Sequence, residues 1–176
     1  MNVVVPDEYK YLYVTDEDRP IVKIPTPVLR EKAAEIPRVT KRHVVISENM
    51  IKIMKAARGI GLAAPQIGLS ERIIVVAAEG KPQVMFNPVI TSDGGTEVGE
   101  EGCLSIPGLY GDVERPATIQ VEYLDKKNRT VRETHSGMSA RVVLHEVDHL
   151  EGVLFTDKVD VSTLRWEHPS DRDGGE

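Results

Sequence analysis

His145-Glu146-Val147-Asp148-His149 lies in an apolar frame, with Val142-Val143-Leu144 before it and Leu150 after it. On an α-helix the two histidines are four residues apart, so about 400° of rotation returns them to one face within roughly 40°. That face can offer two imidazole nitrogens to one metal ion. Glu146, next to the first histidine, can reach a water on the same ion and act as its general base. The plain alternative is a helix that happens to carry two histidines and an acid. Ser136 or Ser139 is placed to open such a helix and Gly152 to close it. Met138, Val142, Val143, Leu144, Val147 and Leu150 fall nearly all round its wheel, so the helix is expected to be buried. Buried imidazoles and a buried carboxylate need partners, which a metal supplies.

Upstream of this helix, Ala117 to Asp125 alternates as a strand, Lys126-Lys127-Asn128-Arg129 turns, and Thr130 to His135 returns, a hairpin pattern. Pro82 to Ile90 reads as a strand interrupted near Asn87-Pro88, Ser92-Asp93-Gly94-Gly95 as a turn, and Arg72 to Ala78 as a further strand. From Thr40 to Arg58 apolar residues recur at helical spacing, with Val44, Ile51 and Met54 near one face and Gly59 as the stop. Gly59-Ile60-Gly61-Leu62-Ala63-Ala64-Pro65-Gln66 follows a helix and lacks Gly-Lys-Ser/Thr, which excludes a phosphate-cradling loop. Either it is a tight turn into the next strand, or its glycines let the main chain approach a substrate, with Gln66 supplying an amide donor. Residues 1 to 20, with Tyr9, Tyr11 and Tyr13, read as an extension, either an added strand or a flexible arm. Residues 166 to 176 read as a polar, frayed tail, leaving residues 21 to 165 as a single domain.

Composition narrows the classes. The 176 residues are 40% hydrophobic and 28% charged, ordinary for one globular domain. A formal charge of −6 with no large basic face argues against DNA as a partner. The longest apolar run, Ile73 to Ala78, is strand length, so no membrane partner is expected. The start, Met-Asn-Val-Val-Val-Pro followed by Asp7 and Glu8, lacks the pattern of a secretory signal, and a cytoplasmic location is expected.

A catalytic ion of this kind keeps three protein ligands and an open position for water. Two residues can complete the histidine pair. Cys103, the one cysteine, lies in the compact stretch Glu100-Glu101-Gly102-Cys103-Leu104-Ser105. Glu167 follows His149 by eighteen residues, but no helical pattern aims it and Pro169 is close behind. Cys103 is the better-fixed candidate. A structural zinc site is disfavoured, since it would need a fourth ligand.

The trio Gly-Ile-Gly-Leu-Ala-Ala-Pro-Gln (59–66), Glu-Gly-Cys-Leu-Ser (101–105) and His-Glu-Val-Asp-His-Leu (145–150), in this order, closely resembles the peptide deformylase family. The likeness runs from about Ile21 to Asp157. The fold expected is α+β: short mixed or antiparallel β-sheets around a central buried helix that carries the H-E-x-x-H motif.

The resemblance implies removal of the formyl group from N-formylmethionyl nascent peptides, with the ribosome as a candidate docking partner. It implies one divalent ion held by Cys103, His145 and His149, with Glu146 as acid/base. Gln66 and the backbone N–H of Leu104 are implied to form an oxyanion hole. Ile60, Gly61, Glu101, Met138 and Val142 are implied to line the substrate site, and Arg115 is expected to pair with Glu101. The family typically works with Fe2+. Ligand type alone would also suit Zn2+, and a purified sample can carry Ni2+ or Co2+.

Three features depart from the family pattern: the long first twenty residues, the short polar C-terminal region, and Leu144 where glutamine commonly precedes the first histidine. The last puts a hydrogen bond around the metal site in doubt. Two rival readings remain, a zinc peptidase using Glu167 and a relative that binds formyl-methionine without cleaving it.

Overall fold

The computed structural model describes residues 1–168. Among these residues the chain forms two α-helices, eight strands and several short 3₁₀ turns. Antiparallel strands β1 (Gly61–Ala63), β2 (Ile73–Val76), β3 (Gln83–Gly94), β6 (Thr118–Leu124) and β7 (Thr130–Ser136) make one sheet, in the order β1-β2-β3-β6-β7. β4 (Glu97–Cys103), β5 (Ile106–Arg115) and β8 (Arg165–Trp166) make a smaller one.

Helices cover both faces of the larger sheet, which explains why β2 is the uniformly apolar Ile73-Ile74-Val75-Val76. Alternate residues point to opposite faces. Ile73 and Val75 join Met50 and Met54 of α1 (Lys41–Ala56) in one core cluster. Ile74 and Val76 join Ala140, Val142, Val143 and Leu150 of α2 (Gly137–Leu150) in another. Thr40 precedes α1, its backbone N–H donating to His43 Nδ1 at 2.9 Å. Ser136 precedes α2, and Gly152, at φ +70°, ends the turn that follows it. A third cluster, around Ile106, Leu109, Val113 and Phe155, underlies the small sheet. No helix of the described residues is long and apolar enough to cross a membrane.

The structure corrects the readings of residues 92–94, of the first twenty residues and of Trp166, and it sharpens two others. Ser92, Asp93 and Gly94 are not a turn: β3 runs on through them, paired with Gln120, Ile119 and Thr118 of β6. The interruption at Asn87-Pro88 is a shift in the same ladder between Phe86 and Val89. Residues 100–108 are the closing end of the β4–β5 hairpin, and the strand extends back to Glu97. The first twenty residues are neither a strand nor an arm. Asp7–Tyr13 is a 3₁₀ turn whose Tyr9 is buried, its ring centroid 5.0 Å from that of Trp166. Trp166 itself is part of β8, paired with Leu109, so the expected tail does not begin there. Residues 169–176 of that tail lie outside the described residues.

In the short 3₁₀ turn Phe155–Asp157 that follows α2 in the chain, Asp157 takes the Leu154 N–H at 2.9 Å and a bidentate contact from Arg30. Burial pushes its carboxyl up, but the Arg30 and Leu154 hydrogen bonds outweigh this and the pKa falls to about 2. A carboxylate whose pKa is lowered on folding contributes stability above its unfolded value, and that contribution fades as pH falls through the folded value. Asp157→Asn is therefore expected to cost about 1 kcal/mol at neutral pH, allowing for solvent screening. The gap between variant and parent should close as pH drops from about 4 towards 2, measured by urea unfolding at each pH.

Candidate metal centre and active site

Three pieces of chain meet at one cleft of about 530 Å³. α2 contributes His145 and Glu146, with His149 buried one turn further along the same helix. The β4–β5 hairpin contributes Cys103 at its closing turn. The segment from β1 into the 3₁₀ turn Ala64–Ile67 contributes Gln66. The helical spacing puts the two imidazoles with their ring centroids 5.1 Å apart. One donor atom each from Cys103, His145 and His149 lie within 4.8 Å of one another, with Cys103 Sγ 3.3 Å from His149 Nε2.

This donor set fits a divalent ion of borderline softness, a thiolate with two imidazoles. Glu146 Oε2 and His149 Nδ1 are buried and lack a hydrogen-bond partner among the described residues. Burial pushes the Glu146 carboxyl up, against the charge of His145, to about 7.

Other site residues are oriented by the fold around them. Gln66 is buried, and the Ala63 N–H donates to its Oε1 at 2.9 Å. That bond turns the amide Nε2 towards Ser105 Oγ at 3.2 Å and Cys103 Sγ at 3.6 Å. Leu104 is the first residue of the hairpin turn and lines the cleft. Ile60 and Met138 stand at its rim, 48% and 55% exposed, while Gly61 and Val142 line it more deeply.

Glu101 also borders the cleft, and its carboxylate is engaged by three side chains, two of which, Arg141 and His145, line the cleft with it. Arg115 donates to both of its oxygens at 2.8 and 2.9 Å, Arg141 to Oε1 at 3.0 Å, and His145 Nδ1 lies 2.9 Å from Oε2. Burial raises the Glu101 carboxyl, yet the Arg115 and His145 hydrogen bonds and charges pull it down to about 2. The bond at His145 Nδ1 leaves Nε2 as the nitrogen for a metal, an arrangement common among metal-bound histidines. Leu144 packs against the core beside α2 and offers no polar group. Glu167, the other candidate ligand, is directed elsewhere: its carboxylate takes Arg165 Nε, and its N–H bonds Gly108 O at 2.8 Å.

Sequence reasoning missed Ser105, Arg141 and Asp148 as neighbours of the site. An arginine inside the apolar run Ala140–Leu144 was the available signal, since a buried guanidinium demands acceptors.

An α+β scaffold with an H-E-x-x-H helix facing a cysteine places the chain among the metal-dependent hydrolases. More narrowly, it belongs to the polypeptide deformylase family, whose model matches residues 18–164. It is 48% identical over 158 residues to the peptide deformylase of Thermomicrobium roseum, covering 84% of this chain and 90% of that one. Against the peptide deformylase of Pelotomaculum thermopropionicum it is 46% identical over 138 residues, covering 78% and 89%. The crystal structure of the Thermotoga maritima peptide deformylase superposes with a TM-score of 0.78 at 39% identity, covering 80% of this chain and 96% of that one. That of the Synechococcus elongatus enzyme in complex with actinonin gives 0.77 at 42% identity, covering 80% and 78%. Hydrolytic removal of the formyl group from formylated peptides is the reaction of this family.

Proposed function

We propose that this chain carries out deformylation of N-formylmethionyl nascent peptides at the cleft between α2 and the β4–β5 hairpin. Cys103, His145 and His149 hold one divalent ion there, Fe2+ in the cell. The observation that carries the reading is the convergence of these three donors beside a buried carboxylate oxygen that has no hydrogen-bond partner among the described residues. The ion, when bound, supplies Lewis acidity and makes water a usable nucleophile near neutrality.

The remaining work falls to the chain's own groups. Glu146 takes a proton from the attacking water and returns it to the methionine nitrogen as formate departs. Gln66 Nε2–H and the Leu104 N–H donate to the formyl oxygen as it becomes negative, and the Ala63 N–H keeps the Gln66 amide correctly turned. Ile60, Gly61, Met138 and Val142 form the apolar wall for the methionine side chain. Glu101 serves through its backbone at the cleft and through its carboxylate on His145. Residues 21–165 act as the single catalytic domain and residues 1–20 as an extension packed on it. Nascent chains as substrate place the activity in the cytoplasm beside the ribosome.

The test is formate release from formyl-Met-Ala-Ser by protein prepared without oxygen and loaded with ferrous iron. Turnover that needs the iron supports the reading. Metal-loaded protein that binds the peptide but releases no formate refutes it.

The glycine at position 61 has a specific consequence for this chemistry. A Cβ there would lie 2.3 Å from Glu146 Oε1 and 2.8 Å from Val142 Cγ1. Gly61→Ala must therefore displace the Glu146 carboxylate. Misplacing a catalytic group by about 1 Å can cost about a hundredfold, and we expect kcat/KM to fall by about that factor. Bound metal, measured by elemental analysis, should be unchanged.

A further inference from the structure

Arg141 lies one helical turn before His145 on α2, is 5% exposed, and has no part in the chemistry above. Its Nη1 donates to Val113 O at 2.8 Å, Glu101 Oε1 at 3.0 Å and Gly99 O at 3.2 Å, and its Nη2 to Glu97 O at 2.8 Å. Gly99 and Val113 face each other across the β4–β5 ladder, so one guanidinium grips both strands of the hairpin that presents Cys103. Gly99 also makes room for it. A Cβ on Gly99 would lie 3.0 Å from Arg141 Cζ, Nε and Nη2, closer than an ordinary contact.

The position matters because the three donors come from two separately supported pieces. The histidines ride on α2, whose principal packing is against β1 and β2 of the larger sheet. Cys103 belongs to the smaller sheet. Between the pieces runs a buried ionic cluster: Glu101 and Asp148 against Arg115 and Arg141, with Lys158 on the outer side of Asp148 at 2.9 Å. Arg115 reaches the cluster from β5 and Arg141 reaches it from α2. Removing Arg141 would leave three backbone carbonyls without this donor, and Glu101 with one guanidinium instead of two.

We propose that Arg141 is a positioning residue of the metal centre. It fixes the hairpin carrying Cys103 against the helix carrying His145 and His149, and it braces Glu101 on His145 Nδ1. The proposal rests on the reading of those three residues as ligands. Partners of this kind are typically worth about 10- to 100-fold in metal affinity.

The experiment is anaerobic titration of Co2+ against a chromophoric chelator, following the thiolate-to-cobalt charge-transfer band, with near-ultraviolet circular dichroism of each metal-free protein. Cys103→Ala is the control for the ligand reading, which fails if the band survives in it, whatever Arg141 does. With the band lost there, folded Arg141→Met should bind Co2+ about 10- to 100-fold more weakly with an altered band, and Arg141→Lys should fall between it and the parent. Gly99→Ala should weaken binding less, and should add nothing on top of Arg141→Met, because it acts through the same guanidinium. Folded Arg141 variants that bind Co2+ within about twofold of the parent, even if they melt earlier, would overturn the proposal. If Arg141→Met does not fold, unchanged Co2+ affinity in both Arg141→Lys and Gly99→Ala would overturn it equally.

Discussion

Cys103→Ala is expected to give a folded protein that no longer retains metal at stoichiometric loading and releases formate at close to background rate. The fold should survive, because the residue is a half-buried side chain at a hairpin turn, and losing one sulfur there leaves only a small gap. The metal should not be retained. Structural sites with four protein ligands bind with about 10–16 kcal/mol, which assigns roughly 3 kcal/mol to each ligand. A loss of that size is about a hundredfold in affinity, since 1.4 kcal/mol is tenfold. The thiolate is also the negative donor of the set, so its removal leaves two neutral imidazoles to hold a dication. Elemental analysis after desalting, together with the formate assay, would read both effects. Turnover that persists at parental metal content would reject Cys103 as a ligand. Glu167, held by Arg165 in this structure, would then have to rearrange to serve.

Short-range signals made much of the fold legible. α2 was marked by the four-residue histidine spacing, by Ser136 or Ser139 as its start and by Gly152 after it, and it is found at Gly137–Leu150, with Ser136 before it. The β6–β7 hairpin was marked by alternation on both sides of Lys126–Arg129, and its register runs unbroken from Thr118↔Ser136 to Leu124↔Thr130. The small sheet was harder. Glu97-Val98-Gly99-Glu100-Glu101-Gly102 has neither apolar alternation nor β-branched density, because the exposed side of β4 carries Val98 and Glu100 while its inner side holds Gly99, which admits Arg141, and the buried carboxylate of Glu101. A strand whose inward positions are a glycine and a paired acid cannot be seen by periodicity. β8 is two residues long and exists only because Leu109 and Tyr110 offer an edge to it.

The candidate site divides along the same line. The three candidate donors and Glu146 could be proposed from the sequence because metal chemistry restricts residue types within short motifs. Their supports were not, since they are long-range. Arg141 meets Glu97 across 44 positions, Arg115 meets Asp148 across 33, and Gln66 meets Ser105 across 39. Leu144 illustrates the converse. A residue flagged for the polar group it lacks turns out to pack, half-buried, against the core, while the His145 nitrogen is held by Glu101 from β4.

Glu146→Gln should abolish turnover while leaving the metal in place. Glutamine has nearly the same shape, so Val142 and Gly61 keep their neighbour, and none of the three donors is touched. What it lacks is a site that can take a proton at neutral pH and give it back. Positioned acid–base groups are worth about 10²–10⁴-fold. Glu146 is proposed to act twice, on the incoming water and on the departing nitrogen, so the upper half of that range is expected in kcat. KM and bound metal should stay within about threefold, since the group contributes a transition-state interaction and not ground-state binding. The buried Oε2 makes the same point from the structure: among the described residues this oxygen has no hydrogen-bond partner, at the cost that burial imposes on a carboxylate. A variant retaining more than about a tenth of the parental kcat at equal metal content would mean that the protons travel by another route. Loss of metal along with activity would instead make Glu146 part of the holding of the ion, and its role as the base would fall.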